Sequence, residues 1–265
     1  MLLNTSYSEH FHGSHVWQEF LAYQKDEILK PIYRDTGQKP DRMRRQIFHS
    51  SSNQTYYIHQ RDNRLDAKYD DTVIQAKKEY LCYLHASTLG LNLPKQVALG
   101  FHLDNQSDIA HMVLSNQEVN GTCLKNILED LSFDEQARKD LGALAAYDAT
   151  RITLCYADND RKPKNMIVSD PFTENCRFSH VDFEYTMQEN YEPLIDMWFS
   201  EDINREFGAD IVLNRIDIFD MSMELLSKAQ DLPDDDFKYQ VIRNLQRSLP
   251  VIKSHPALYG PVLYI

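Results

Sequence analysis

The chain reads as an α+β protein, with strands gathered in its first half and helices in its second. Three observations carry this. Between residues 32 and 61, and again between 97 and 114, β-branched and aromatic residues fall between clusters of turn formers, the pattern of a small antiparallel sheet. From Ser132 onward apolar residues recur at helical spacing. Inside that helical half lies one exception. Two short apolar runs, Met166 to Val168 and Phe178 to Val181, flank a polar turn with Pro171 and read as paired strands. At 265 residues the chain is long enough for one large domain or two small lobes.

Taken in order, residues 1 to 13 are polar and without period. His10, His12 and His15 there fit a mobile polar start better than a metal site. Val16, Phe20, Leu21, Ile28 and Leu29 space an amphipathic helix, capped by Ser14 and stopped by Pro31. Strands follow at 31–34, 44–48 and 55–60, separated by turns at 35–40 and 50–54. Residues 71 to 88 form a helix through Val73, Ile74, Lys77, Tyr80, Leu81 and Leu84, and the run Leu89 to Pro94 stops it. Strands at 97–101 and 110–114 enclose a turn at 104–108, and an extended stretch from Gln117 reaches Gly121 just before another helix start.

In the second half, Ser132-Phe-Asp-Glu135 has capping-box spacing. The helix it opens runs to Thr150, with Ala137, Leu141, Leu144, Ala145 and Asp148 on one side. Its small residues suit close packing under the loop that precedes the hairpin. Beyond the hairpin, 195–199 reads as a buried start and 202–207 as surface. A long helix is expected over 211–230 and a last one over 237–249, capped by Pro233-Asp-Asp-Asp236. The Pro-interrupted tail 250–265 is expected to pack along these helices.

The composition is that of a globular protein, with 42% hydrophobic and 26% charged residues. A net charge of -12 argues against nucleic acid and against anionic membrane surfaces, although Arg42-Met-Arg44-Arg45 is locally basic. Cys82, Cys123, Cys155 and Cys176 lack CxxC spacing and read as reduced thiols rather than zinc ligands. There is no signal-peptide pattern and no membrane span, so a cytoplasmic protein is expected; a chain delivered into another cell by an uncleaved signal has the same appearance.

The chemistry concentrates around the hairpin. Asp160 and Asn165 precede its first strand and Asp182 follows its second, so closing the hairpin brings all three to one end. A carboxylate and an amide oxygen converging on one point suit Mg2+, a hard cation. A further carboxylate beside them can orient an attacking hydroxyl, which is the equipment of phosphoryl transfer. As single residues, Asp160, Asn165 and Asp182 have plain readings too, as cap, turn and strand-end residues. Their order and spacing together set them apart.

Asp158-Asn-Asp-Arg-Lys-Pro-Lys-Asn165 resembles the catalytic loop of the protein-kinase-like superfamily, and Val181-Asp-Phe-Glu-Tyr185 resembles its metal-binding segment. Asp-Phe-Glu-Tyr, followed by Asn190-Tyr191 and Asp196, is closer to the choline-kinase and aminoglycoside-phosphotransferase branch; Lys162-Pro163 is closer to protein kinases. Asp158 stands where these families usually have His. The resemblance implies a two-lobed fold, with a nucleotide-covering sheet lobe over residues 1–116 and a helical lobe over 117–265. It implies ATP and Mg2+ as cofactors, Asp160 as the base, Lys162 as a neutraliser of phosphoryl charge, and Asn165 and Asp182 as metal ligands. Asp196 would order the loop. Backbone groups of Gln117, Glu118 and Val119 would meet the adenine edge.

Glu79 sits where the superfamily's helix carries a Glu that pairs with a strand lysine, though on its own it reads better as a solvated helix residue that happens to fit. The expected strand, Tyr57-Ile-His59-Gln-Arg61, has no lysine; His59 and Arg61, or Lys39 and Lys68, are the available substitutes. The turn 35–40 holds one glycine, Gly37, where a Gly-rich loop belongs. Three functions follow from the resemblance. One is a kinase for a small hydroxyl compound such as an amino alcohol, sugar or aminoglycoside, favoured by Asp-Phe-Glu-Tyr and by the acidic balance. The others are an atypical protein kinase, such as a bacterial effector, and a pseudokinase scaffold.

Overall fold

Strand pairing follows the alternation of the sequence. In this computed structural model, which describes residues 44–49, 55–62, 72–94, 98–104, 109–158, 160–183, 186–187, 202–208 and 213–263, β1 (Arg44–His49) and β2 (Thr55–Asp62) pair antiparallel with Gln46 opposite Ile58. β3 (Ala98–Asp104) and β4 (Ile109–Gln117) complete a four-stranded antiparallel sheet in the order β1-β2-β4-β3. The helix α1 (Thr72–His85) falls between the two hairpins in sequence. It ends at His85, and the turn that follows closes at Gly90, whose φ of 69° lies in the left-handed region that glycine tolerates, with Leu91 N–H reaching back to the Ala86 carbonyl at 2.8 Å. The expected helix at 14–31, the strand at 31–34 and the turns at 35–40 and 50–54 lie outside the described residues, as do residues 105–108 of the turn expected at 104–108; Asp104 itself ends β3.

Contacts divide the chain into two compact units, one holding the described parts of Met1–Leu84 and Pro94–Glu118, the other those of His85–Leu93 and Val119–Ile265. The first carries the four-stranded sheet and nearly all of α1. The second is mostly helical around a three-stranded antiparallel sheet of β5 (Thr122–Cys123), β6 (Met166–Ser169) and β7 (Arg177–His180). Its helices are α2 (Leu124–Glu129), α3 (Glu135–Tyr156), α4 (Asp202–Phe207), α5 (Arg215–Ala229) and α6 (Asp236–Ser254). The architecture is α+β.

α3 is the axis of this second unit and packs against α4, α5 and α6. Ala145, Ala149 and Ile152 of α3, Ile218 and Leu225 of α5, and Val241, Leu245 and Ile252 of α6 are all fully or almost fully buried. Each such Leu or Ile contributes about 1.5–3 kcal/mol relative to an exposed position. The small residues of α3 let its partners approach closely. Buried His180 ties β7 to α3 through Asp148 Oδ2 at 2.9 Å, and Asn92 Nδ2 donates to the Phe178 carbonyl at 2.8 Å.

Several boundaries differ from those expected. The cap of α3 is Asp134, whose carboxylate accepts from Ala137 N at 2.9 Å, while Ser132 N donates to Asp130. Two good cap residues stand two positions apart, and the later one wins. α3 also continues past Thr150 to Tyr156, because Ile152 to Tyr156 are all buried and extend its packing. Leu144, expected on the inner side, is 59% exposed. Residues 202–207 form a helix with Ile203 and Phe207 buried, not a surface stretch.

α5 begins at Arg215 rather than 211, with Asn214 accepting from Ile216 N. α6 runs through Pro250 to Ser254: the proline removes one N–H, but buried Ile252 holds the last turn in place. Arg215, itself buried, gathers the tail. Its guanidinium donates to the carbonyls of Ile252, His255, Leu258 and Gly260 at 2.8 to 3.2 Å. Among the described residues, no helix is long and apolar enough to cross a membrane.

Candidate functional site

The loop between α3 and β6 is built from local hydrogen bonds. α3 ends at Ala157, a left-handed residue with φ 51°, which turns the chain sharply inward. Asp158 is therefore fully buried; its carbonyl accepts from Thr153 Oγ1 at 2.7 Å and its Oδ1 from Asp160 N at 2.9 Å, an Asx-type turn. Lys162 N donates to the Asp160 carbonyl at 2.9 Å, and Pro163 to Asn165 make one 3-10 turn. The Asn165 amide nitrogen then reaches back to Asp160, 2.8 Å from its carbonyl and 3.2 Å from Oδ2. The hairpin closes on the same point, with Val181 N donating to the Asn165 carbonyl at 3.0 Å.

Arg161 ties the loop to the segment after β7. Its side chain is fully buried and pairs with Asp158 Oδ2 at 3.1 Å. It donates to the Val181 carbonyl at 2.9 Å and also to the Asp182 carbonyl, and it lies 4.3 Å over the Phe183 ring, within cation–π range. Phe183, also buried, meets Tyr156 edge-on at 5.8 Å. Asp182 itself sits at φ 65°, a strained conformation for a non-glycine residue of the kind that clusters at functional sites. Burial lifts the Asp158 carboxyl above the usual carboxylate range. Arg161 works against that lift, and the negative charges of Asp160 and Asp182 add to it.

The structure thus brings Asp160, Asn165 and Asp182 to one end of the β6–β7 hairpin. Lys162 and Lys164 each place Nζ 3.6 Å from the Asp160 carboxylate. The donor set fits a hard divalent cation: the Asn165 nitrogen is committed to Asp160, which leaves its amide oxygen as the donor, and Asp182 brings a carboxylate on a strained backbone. Among the described residues no group of three or more His, Cys, Asp or Glu side chains is arranged to hold a metal. An Asn–Asp pair of this kind would supply only two oxygen ligands to such a cation, leaving room for other oxygens.

The residues expected at the nucleotide are placed as follows. His59 and Arg61 stand two apart on β2, opposite Leu114 and Met112 of β4. Glu79 lies on α1 and is 1% exposed, which overturns the reading of a solvated helix glutamate. Gln117 ends β4 opposite Tyr56. Glu118 N–H is occupied by the Thr55 carbonyl at 2.8 Å, so it is not among the backbone donors open to an adenine edge. The Glu118 carboxylate accepts from Tyr57 at 3.2 Å, and Val119 is half-buried. Asp196 lies outside the described residues.

Sequence reasoning passed over Arg161, which its place between Asp160 and Lys162 disguised as a solvated charge. For Gly121 it left two readings open, the glycine of a hinge-like extended segment and a plain helix-start turn. A Cβ at Gly121, at φ 149°, would run into the Val168 carbonyl, so glycine is what lets this stretch lie against β6.

The chain is similar to several solved structures. WaaP, solved in complex with acyl carrier protein, shares 13% identity over 88% of this chain and 93% of its own, with a TM-score of 0.47. A MAP kinase from Leishmania major shares 10% identity over 92% and 72%, TM-score 0.36. The amicoumacin kinase hAmiN, solved with AMP-PNP, Ca2+ and Ami, shares 9% over 93% and 97%, TM-score 0.35. No family model and no curated protein matches the chain. At these identities the chemistry has to be read from the chain's own residues.

Proposed function

We propose that the chain is an ATP-dependent phosphotransferase that moves the γ-phosphate to a hydroxyl of a small molecule. The observation that carries this is the gathering of Asp160, Asn165 and Asp182 at one end of the hairpin, pinned from behind by Arg161. Asp160, held by the Asn165 amide and 23% exposed, would orient an acceptor hydroxyl and take its proton. The Asn165 oxygen and the Asp182 carboxylate would hold Mg2+, which supplies charge neutralisation on the ATP phosphates. Lys162 lies close enough to Asp160 to meet charge on the transferred group. His59, Arg61, Glu79 and the backbone of Gln117 and Val119, with the Glu118 carbonyl but not its N–H, are proposed on the nucleotide side.

A second reading, a pseudokinase, is favoured by one observation: β2 carries no lysine. Thermal shift with ATP and Mg2+ separates the two. At 100 times Kd a ligand adds about 2.7 kcal/mol, which for a chain of this size raises Tm by roughly 5–10 °C. No shift at millimolar nucleotide favours the scaffold. In a radiolabelled-ATP transfer assay on small alcohols and proteins side by side, Asp160→Asn should lose about 100- to 10,000-fold in rate while retaining the thermal shift. Transfer that survives this change removes Asp160 as the base.

A further inference from the structure

Beside the catalytic loop a pocket of about 320 Å³ opens between α2, the 3-10 turn and α4. That volume is at the small end for ligand sites and suits a compact molecule. The chain carries a net charge of -12, yet among the described residues this wall holds four cations, Lys125, Lys162, Lys164 and Arg205, against two carboxylates, Glu129 and Glu206. Glu129 is engaged by Lys125 on its own helix at 3.7 Å. Lys162 and Lys164 reach Asp160 at 3.6 Å and remain 43% and 54% exposed. Each ammonium has three N–H donors, more than one shared carboxylate can absorb. The pocket therefore begins one ammonium group away from the carboxylate that would meet the acceptor hydroxyl.

This local charge reverses the expectation drawn from the whole chain. A cationic acceptor such as an amino alcohol or aminoglycoside would meet like charge beside Asp160, whereas an anionic one would be drawn in. We propose that this pocket binds the phosphate group of a phosphorylated sugar or polyol whose free hydroxyl is the acceptor. The assignment deepens the phosphotransferase reading and rests on it. The acceptor oxygen forms a new ester bond to the γ-phosphorus, and the bond from that phosphorus to the β–γ bridging oxygen breaks. ADP leaves with the electron pair, Asp160 takes the hydroxyl proton, and the product is a bisphosphate.

Titration calorimetry on the full chain without nucleotide tests the pocket directly. The probes are glucose 6-phosphate against glucose, glycerol 3-phosphate against glycerol, and glucosamine as the cationic control. The phosphorylated member of each pair should bind at least tenfold more tightly, and less so at high salt. Lys125→Gln and Arg205→Gln should each weaken it about tenfold or more, as loss of a charge-assisted hydrogen bond does. Lys125 is exposed on α2, so its variant keeps the test clear of misfolding.

Equal binding within a pair, a preference for glucosamine, or binding indifferent to both variants overturns the proposal. Tighter binding of a phosphoserine peptide than of either sugar probe overturns the small-molecule assignment. Absence of a thermal shift with ATP and Mg2+, alongside intact phosphate preference, removes phosphoryl transfer and not the anion site.

Discussion

Replacing Arg161 with methionine leaves Asp158 buried without its cation. Removing one partner of a buried ion pair costs about 3–5 kcal/mol, and the carbonyls of Val181 and Asp182 lose their donor as well. For a chain of this size the melting temperature should fall by roughly 6–20 °C, read by circular dichroism. The companion change, Asp158→Leu with Arg161→Met, removes both charges and should recover the part of the loss that comes from the uncompensated Asp158. About 1 kcal/mol remains for each backbone group left unpaired, the Asp160 amide and the Val181 and Asp182 carbonyls. Transfer activity should not recover with stability, because the loop is no longer fastened to the Asp182 segment; the Mg2+ concentration needed for half-maximal rate should rise. A single variant destabilised by less than about 1 kcal/mol, or a double variant that turns over like the wild type, refutes the fastening role.

Gly121→Ala forces a Cβ against the Val168 carbonyl at a positive φ, so it should cost about 1–3 kcal/mol and appear as a lower urea midpoint. Cys155 is fully buried, and burial pushes its thiol from 9.0 up to about 12, with Arg151 and Lys228 pulling slightly the other way. Below pH 9 both folded and unfolded chains hold that proton; above it only the unfolded chain releases it. Stability should therefore fall by about 1.4 kcal/mol per pH unit between 9 and 12 from this group, and Cys155→Ala should flatten the slope in pH-dependent unfolding. In thiol labelling at neutral pH, half-buried Cys123 and Cys176 should react before buried Cys82 and Cys155.

The hairpin was legible because its signal is local: two short apolar runs, a polar turn, and acids and an amide at fixed distances from them. The first sheet was legible for the same reason. What escaped was decided by tertiary packing. Nothing in Asp-Arg-Lys marks the arginine as buried, since its burial depends on Phe183 arriving from the other strand. The end of α3 depends on partners that bury Ile152 to Tyr156, and the passage of α6 through Pro250 depends on Ile252, so boundary signals from Thr150 and Pro250 misled. The charge of the pocket wall was hidden because Lys125, Lys162 and Arg205 are far apart in sequence.

The reach of Arg215 has a practical side for anyone trimming this protein. A version ended at residue 254 would keep the whole of the last helix and look intact on a secondary-structure map. It would also strip three of four acceptors from a guanidinium shut away from water. The sensible cut lies beyond Gly260, because that coil, although mostly exposed itself, supplies the backbone oxygens that a shut-in charge depends on.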